Sequence, residues 1–357
     1  MSPDRPINRI SERNSTHAET TQSVRFVEPY TVDVVTTQRP QPNPDEVLVE
    51  TKTSAISAGT EGLIYRGEAP ENLAADEQLP TLSGDLSYPL SYGYATVGEV
   101  LETGEQIDSA WIGTRVFAYH PHASHFTIPP SELLPIPDSI SFEEATIFAN
   151  METAVSLLLD GRPTIGERVV VFGQGVVGLL STALLAASPI ESLVTVDNYQ
   201  NRRDLSQRFG ADTALRPDLD EITDHVQSAW ESNADLVYEL SGNPTALDDA
   251  IHCTRYSGRI IVGSWYGEKP TTVGLGGRFH RDRIEIRSSQ VSTIDPVYRG
   301  RISQSRRHHI TWNWLERLEV DELFTHRIPI ADASDAYNLL DTNTDEAVQI
   351  LLTYPEY

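Results

Sequence analysis

The run VVVFGQGVVGLL places Gly173, Gly175 and Gly178 in Gly-x-Gly-x-x-Gly spacing between a β-branched segment and an apolar one. Strand, turn and helix in that order form the context in which this motif binds a dinucleotide. Gly173 permits the tight turn, Gly175 admits a pyrophosphate to the backbone, and Gly178 lets the helix lie close to the strand. Gln174, Val176 and Val177 fill the variable positions. The helix that opens there offers its unpaired N–H groups to phosphates. Nineteen residues beyond Gly178 the run SLVTVD ends in Asp197, followed by Asn198. A carboxylate at that place accepts both ribose hydroxyls of NAD and repels a 2′-phosphate, so NAD is the expected cofactor. Arg202 and Arg203 keep an NADP reading open, although Arg202 can equally lie along the adenine side. Ser241 and Gly242, in LSGNP after a later strand, are expected to line the nicotinamide side.

Other residues with chemistry to offer are fewer. YHPHASH holds His120, His122 and His125. On a strand, residues 120 and 122 share a face. That leaves open a two-histidine metal site, a substrate-facing acid/base role, or plain packing; His122 is carried forward as the catalytic candidate. Cys253, the single cysteine, excludes an internal disulfide and any multi-cysteine metal site. Eight arginines lie between 278 and 307. They could take substrate carboxylates, or pair with acidic residues at a domain or subunit interface. Glu61 and Glu152 are candidates for buried carboxylates with raised pKa.

The elements that must position these groups follow from pattern. Residues 1–23 are polar, lack the apolar core of a signal peptide and read as a disordered tail. From residue 24 to about 150, short β-branched runs alternate with Pro-rich turns, an all-β texture. SFEEATIFANMETAVSLLLD then opens on Ser141 with acidic residues in its first turn and keeps helical apolar spacing. From residue 166 strands and helices alternate with short connections, the signature of a parallel sheet covered by helices. After about residue 293 come an Arg-rich helical segment and a closing apolar strand, AVQILLTY.

With 357 residues the chain is long enough for two domains. No apolar run approaches the ~18–20 residues that span a bilayer, so a soluble cytoplasmic protein with no membrane partner is expected. Asp and Glu number 52 against 27 Lys and Arg, a formal net charge of −25, and only Lys52 and Lys269 are lysines. Nucleic-acid binding needs a basic footprint that this chain lacks. A carboxylate-rich, lysine-poor surface fits a protein that stays soluble in concentrated salt, where self-repulsion is screened.

Together these features resemble the medium-chain dehydrogenase/reductase superfamily over nearly the whole chain after residue 24. The matching landmarks are GTEGLIYRG, GEVLETG, GTRVFAY, VVVFGQGVVG, VTVDNYQNRRDLSQRFGAD and LFTHRIPIADASDAYNLL. SAISAGTE and GSWYGEKPTTVGLGGRFHRDRIEIRSSQVSTI are most similar to the branch of 2-desacetyl-2-hydroxyethyl bacteriochlorophyllide dehydrogenase. The resemblance implies an α/β architecture: a GroES-like β-rich catalytic domain (24–150), a Rossmann domain with a doubly wound parallel sheet (151–293), and a return to the catalytic domain (294–357). It also implies a small-molecule substrate and a homodimer.

Zinc members of the family carry Cys-Gly-Thr-Asp and Gly-His-Glu where this chain has Ala58-Gly59-Thr60-Glu61 and Gly93-Tyr94-Ala95. The third ligand position falls near Met151 and Glu152. Catalytic zinc needs three protein ligands of the right type, so no metal is expected. Tyr94 stands in place of a metal-binding histidine, either bonding the substrate oxygen or filling vacated volume. Thr60 matches the family's hydroxyl relay, with Glu61 beside it. The expected activity is zinc-independent, NAD-linked interconversion of an alcohol and a carbonyl. Reduction of an activated C=C bond, as in quinone and enoyl reductases, and a non-catalytic NAD sensor or scaffold are the alternatives.

Overall fold

The computed structural model describes residues 19–75, 80–82, 84–217 and 222–355. The expected tail therefore lies outside the described residues up to position 18. The chain is already a strand at Thr20, four residues before the expected boundary: β1 (Thr20–Glu28) and β2 (Thr31–Gln38) form an antiparallel hairpin.

Five strands of the first domain follow, with one short helix among them: β3 (Val47–Ala55), α1 (Thr60–Arg66), β4 (Thr96–Thr103), β5 (Arg115–Ala118), β6 (His125–Ile128) and β7 (Leu133–Pro135). Ser141 caps the one-turn α2 (Phe142–Ala145) by a reciprocal capping box with Glu144, as its acidic first turn leads one to expect. The long α3 (Phe148–Gly161) then crosses toward the second domain.

That domain runs β8 (Arg168–Phe172), α4 (Val176–Ala186), β9 (Ser192–Val196), α5 (Gln200–Arg208), β10 (Thr213–Leu215), α6 (Ile222–Trp230), β11 (Ala234–Glu239), α7 (Ala246–Cys253), β12 (Thr254–Val262) and β13 (Glu285–Ser288). Its six strands are all parallel and lie in the order β10-β9-β8-β11-β12-β13. Strands buried on both faces need no alternation, and β8 is accordingly an unbroken apolar run from Val169 to Phe172. α4 is apolar on most of its circumference because it lies between this sheet and α3. The strand order reverses between β8 and β11, and an open α/β sheet binds ligands outside the carboxyl ends of its strands at such a point.

The chain then returns through α8 (Gln304–Leu315), β14 (Phe324–Pro329), α9 (Ala333–Thr342) and β15 (Gln349–Thr353). β15 pairs antiparallel with β3, Leu351 opposite Ala55, which completes the sheet β14-β15-β3-β4-β5-β7 with β6 also on β3. One apolar cluster spans the junction of the domains and a second lies within the first domain and the C-terminal return. One joins Met151 of α3 and Val176 of α4 to Trp312 and Leu315 of α8; the other holds α1 and α9 against β1. Tyr94 packs against both.

Candidate active site

The glycine turn has the geometry a dinucleotide needs. Gly173 has φ +87°, and a Cβ there would lie 2.5 Å from the Leu240 carbonyl oxygen and the Ser241 Cα. A Cβ on Gly178 would lie 2.0 Å from the Gly173 carbonyl oxygen, so only glycine lets α4 start this close to β8. Gly175 is the reverse case: a Cβ there would meet nothing within 4 Å, leaving an open approach to the backbone. α4 begins at Val176 with no side-chain cap, so the N–H groups of Val176, Val177 and Gly178 face that opening unclaimed by any capping side chain. Gln174 is enclosed and serves the turn itself. Its Nε2 donates to the Gly173 carbonyl, and its Oε1 accepts from Thr182.

Asp197, 8% exposed, follows β9. Its Oδ2 accepts from the Gln174 N–H at 2.7 Å and its Oδ1 from the Tyr199 N–H at 2.8 Å. Each oxygen has two acceptor positions, so capacity for the two hydroxyls of a ribose is left. Asn198 is exposed beside it. Ser241 and Gly242 are fixed on the other side of the turn. The Ser241 N–H and O–H both donate to Glu239, and the Gly242 N–H donates to Ser264 Oγ at 2.9 Å. Such a cradle fits a nicotinamide dinucleotide.

Arg202 is used differently from the cofactor role expected of it. Its guanidinium donates to the carbonyls of Thr344 and Ala347 at 2.9 and 2.8 Å and lies over the Tyr199 ring, tying α5 to the end of α9. Arg203 is buried and donates to the Asp197 carbonyl and Gln200 Oε1. Neither guanidinium is free to meet a 2′-phosphate.

On the catalytic side, Thr60 opens α1 and the Tyr94 hydroxyl lies 3.5 Å from Thr60 Oγ1. A shorter hydrogen bond joins the same phenol to Ser57 Oγ. Burial raises the Tyr94 pKa further than its hydroxyl partners lower it, so the phenol stays protonated and can donate. The ring packs against the cluster that includes Val176, the first residue of α4, and so borders both halves of the cleft. Ser57 was not singled out in the sequence. A serine three residues before a threonine carries no signal until the turn at 57–59 folds both hydroxyls toward one phenol.

His122 and Glu61 are not free catalytic groups, and this corrects the expectation for both. Both side chains are 0% exposed. His122 Nε2 donates to Glu61 Oε2 at 2.9 Å and Nδ1 meets Ser54 Oγ at 2.7 Å, so neither ring nitrogen is open to a substrate. Glu61 also accepts from the Ser57 N–H at 2.8 Å and the Tyr337 hydroxyl at 2.5 Å. Gly93 makes room for this pair: at φ +134°, a Cβ would lie 2.8 Å from His122 Cδ2.

The histidines do not form a common face, because β5 ends at Ala118 and residues 119–122 are loop. His120 stacks on Phe126 at 4.0 Å, and burial pushes its pKa down to about 4. His125 is lowered by burial too. The arginines after 278 are largely spent within the chain: Arg278 pairs with Asp282, and Arg287 with Asp160 and Asp295.

The donor set does not fit a catalytic zinc. Residue 58 has no ligating side chain, and Tyr94 offers a protonated phenol in place of an imidazole. Met151 is buried in the core. Glu152 is neutralised in place, its Oε1 accepting from Arg307 Nε at 2.9 Å with His308 Nε2 at 3.1 Å, and its Oε2 accepting from Tyr119 at 2.5 Å. Burial alone would raise the Glu152 pKa, but His308, Arg307 and Tyr119 together hold it below the ordinary value. That is the opposite of the shift expected from sequence. Among the described residues, no three His, Cys, Asp or Glu gather as a metal-binding group.

A Rossmann sheet with an open glycine turn and a ribose carboxylate, facing a hydroxyl cluster across a cleft, defines an NAD(P)-dependent oxidoreductase. Comparison with known proteins agrees. Residues 176–304 match the family model of the zinc-binding dehydrogenases. The chain is 24% identical to D-guloside 3-dehydrogenase of Escherichia coli K12 over 329 residues, covering 87% of this chain and 93% of that one. It is equally similar, 24% over 345 residues, to L-threonine 3-dehydrogenase of Xanthomonas oryzae pv. oryzae, covering 88% and 94%. The same fold is found in 2R,3R-butanediol dehydrogenase of Bacillus subtilis (TM-score 0.78, 18% identity, 94% of this chain and 100% of that chain). It recurs in a short chain alcohol dehydrogenase of E. coli CFT073 complexed with NADH (TM-score 0.77, 19% identity, 94% and 99%). In sequence and in fold the chain is thus similar to the alcohol dehydrogenase-like proteins of the medium-chain dehydrogenase/reductase superfamily.

Proposed function

We propose that this protein reversibly oxidises a CH–OH group of a small molecule to a carbonyl, with NAD rather than NADP and without zinc. The observation that carries this reading is the Thr60–Tyr94–Ser57 hydroxyl cluster at the place where zinc relatives hold their metal. NAD supplies the carbon that takes the hydride. Thr60 and Tyr94 each have a hydroxyl to offer to the substrate oxygen, and both can donate to it as negative charge grows there. The released proton has a path through Thr60, Tyr94 and Ser57, which are linked by hydrogen bonds. Asp197 supports NAD, since a 2′-phosphate would meet its charge and both neighbouring arginines are engaged elsewhere. The lack of a fitting donor set supports the zinc-free reading; stoichiometric zinc in the purified protein would overturn it.

Relatives named for guloside, threonine and sorbitol make secondary alcohols of polar small molecules the first substrates to screen. We propose a cytoplasmic homodimer, since the outer edge of β13 is open to a second copy and no helix among the described residues is long and apolar enough to cross a membrane. The deciding experiment uses Tyr94→Phe and Thr60→Val, which keep shape and delete one hydroxyl each. Turnover should fall ~10²-fold or more, with the larger loss at Thr60, while NADH affinity stays near wild type. Full activity in both variants on the true substrate would remove these residues from the chemistry.

A further inference from the structure

Glu239 is the last residue of β11, and β11 borders β8 at the point where the strand order reverses. It pairs with Phe172, the residue before the Gly173 turn. Its side chain is 0% exposed. Every partner it has is a neutral donor. Oε1 accepts from the Ser241 N–H at 2.8 Å and from the Ser241 hydroxyl, and Oε2 accepts from the Tyr266 hydroxyl. Donors alone are what an ionised carboxylate takes. Burial and the Glu239 charge both raise the Tyr266 pKa, so the phenol remains a donor. Two other enclosed carboxylates, Glu61 and Glu152, have side-chain nitrogen partners, His122 and Arg307. Among the described residues no cation pairs with Glu239. An enclosed charge left without a counter-ion is costly, and a fold that retains one at the ligand-binding edge of its sheet gives it a positive partner only when a ligand brings one.

Which half of the dinucleotide lies there follows from the sheet. Asp197 follows β9 on one side of the Gly173 turn and marks the ribose next to adenine. The other half must then run to the β11–β12 side, where Ser241, Gly242 and Ser264 are fixed around Glu239. The nicotinamide ring carries a positive charge when oxidised and none when reduced.

We propose that Glu239 biases this site toward the oxidised cofactor, its buried charge stabilising bound NAD+ relative to bound NADH. This rests on the NAD site proposed above. Glu239 acts through its field from behind Ser241 and does not touch the reacting atoms. A unit charge within about 10 Å, at an effective dielectric of about 20, shifts such a ratio roughly tenfold.

The test is direct titration of NAD+ and NADH, without substrate, on wild type, Glu239→Gln and Glu239→Asp at pH 8. Glu239→Gln should lower NAD+ affinity several-fold to tenfold relative to NADH, and Glu239→Asp, which keeps the charge, should retain the wild-type ratio. Equal losses for both cofactors in Glu239→Gln, or an unchanged ratio, would overturn the proposal while leaving the NAD site standing. Wild-type protein that binds neither cofactor would overturn the NAD site and this inference with it. Should Glu239→Gln fail to fold by circular dichroism, Glu239→Met decides. Tyr266 stays in place there, and this neutral side chain of similar length in the same enclosed position must lower the NAD+ preference several-fold to tenfold; an unchanged ratio overturns the proposal.

Discussion

Replacing His122 by alanine separates a structural from a catalytic role for the residue that the sequence singled out. The ring is fully enclosed and donates to Glu61 at 2.9 Å. Removing it costs one hydrogen bond to a buried carboxylate, about 1.5–3 kcal/mol. It also opens a cavity of roughly 60 Å³ beside Gly93, worth about 1.5 kcal/mol at ~24 cal/mol per Å³. The carboxylate keeps two donors, the Ser57 N–H and the Tyr337 hydroxyl, and Ser54 keeps Tyr354. Damage therefore stops at a total of about 3–5 kcal/mol. At an unfolding entropy of ~2.1 cal/mol/K per residue, that lowers the melting temperature by roughly 5–10 °C, depending on whether the whole chain or one domain melts as a unit. His122→Gln places an amide nitrogen near the old Nε2 and should recover most of the loss. Melting followed by circular dichroism, with turnover measured per folded protein below the transition, reads both quantities. An alanine variant that melts within a degree of wild type yet loses turnover would refute the structural assignment and return His122 to the substrate.

Three further outcomes are expected. Asp197→Asn keeps an acceptor for the Gln174 N–H but removes the charge, so discrimination against NADPH should relax by about tenfold or more in fluorescence titrations; wild type that prefers NADPH contradicts the assignment. His120 titrates near pH 4 when folded and near 6.5 when unfolded. Its share of stability is thus fully present above pH ~6.5 and is lost toward pH 4, up to about 3 kcal/mol. The drop in melting temperature between pH 7 and 4.5 should be smaller in His120→Gln, and equal slopes would count against the burial. Finally, the Debye length grows from ~3 Å at 1 M salt to ~30 Å at 0.01 M, so a chain of net charge −25 should melt progressively lower on dilution into low salt. A melting temperature indifferent to salt would contradict a halophilic surface.

What the sequence disclosed and what it hid divide along one physical line. Gly173, Gly178 and Asp197 are legible because backbone geometry demands them locally: a left-handed φ, a close carbonyl, and a carboxylate just past a strand. The alternation that defines the parallel sheet is local too. Partnerships across the fold leave no such trace. Ser57 reaches Tyr94 over 37 positions, His122 reaches Glu61 over 61, and Arg307 reaches Glu152 over 155. The histidines misled for a related reason. Period-two reasoning on YHPHASH assumes a strand, and Pro121, which has no N–H for the ladder, sits where that strand has already ended. Arg202 shows the limit of positional expectation: a residue can occupy a cofactor-side position and still spend its donors on the opposite domain.

Charge balance explains how these hidden partnerships fit together. Residues 58, 94 and 151–152 fit no dication that could compensate the carboxylates around them, and those carboxylates find partners of other kinds. Glu61 does so through the imidazole of His122 with a phenol and a backbone N–H. Glu152 does so through the guanidinium of Arg307, with Tyr119 and His308 around it. Arg307 is an internal counter-charge of the kind a buried carboxylate requires, and Glu61 has three hydrogen-bond donors. Arg307 lies on α8 and Tyr337 on α9, so one partner of each carboxylate arrives with the C-terminal return of the chain, while His122 comes from the loop after β5. The return thus brings donors to Glu61 and Glu152, the carboxylates nearest in sequence to Thr60 and Met151.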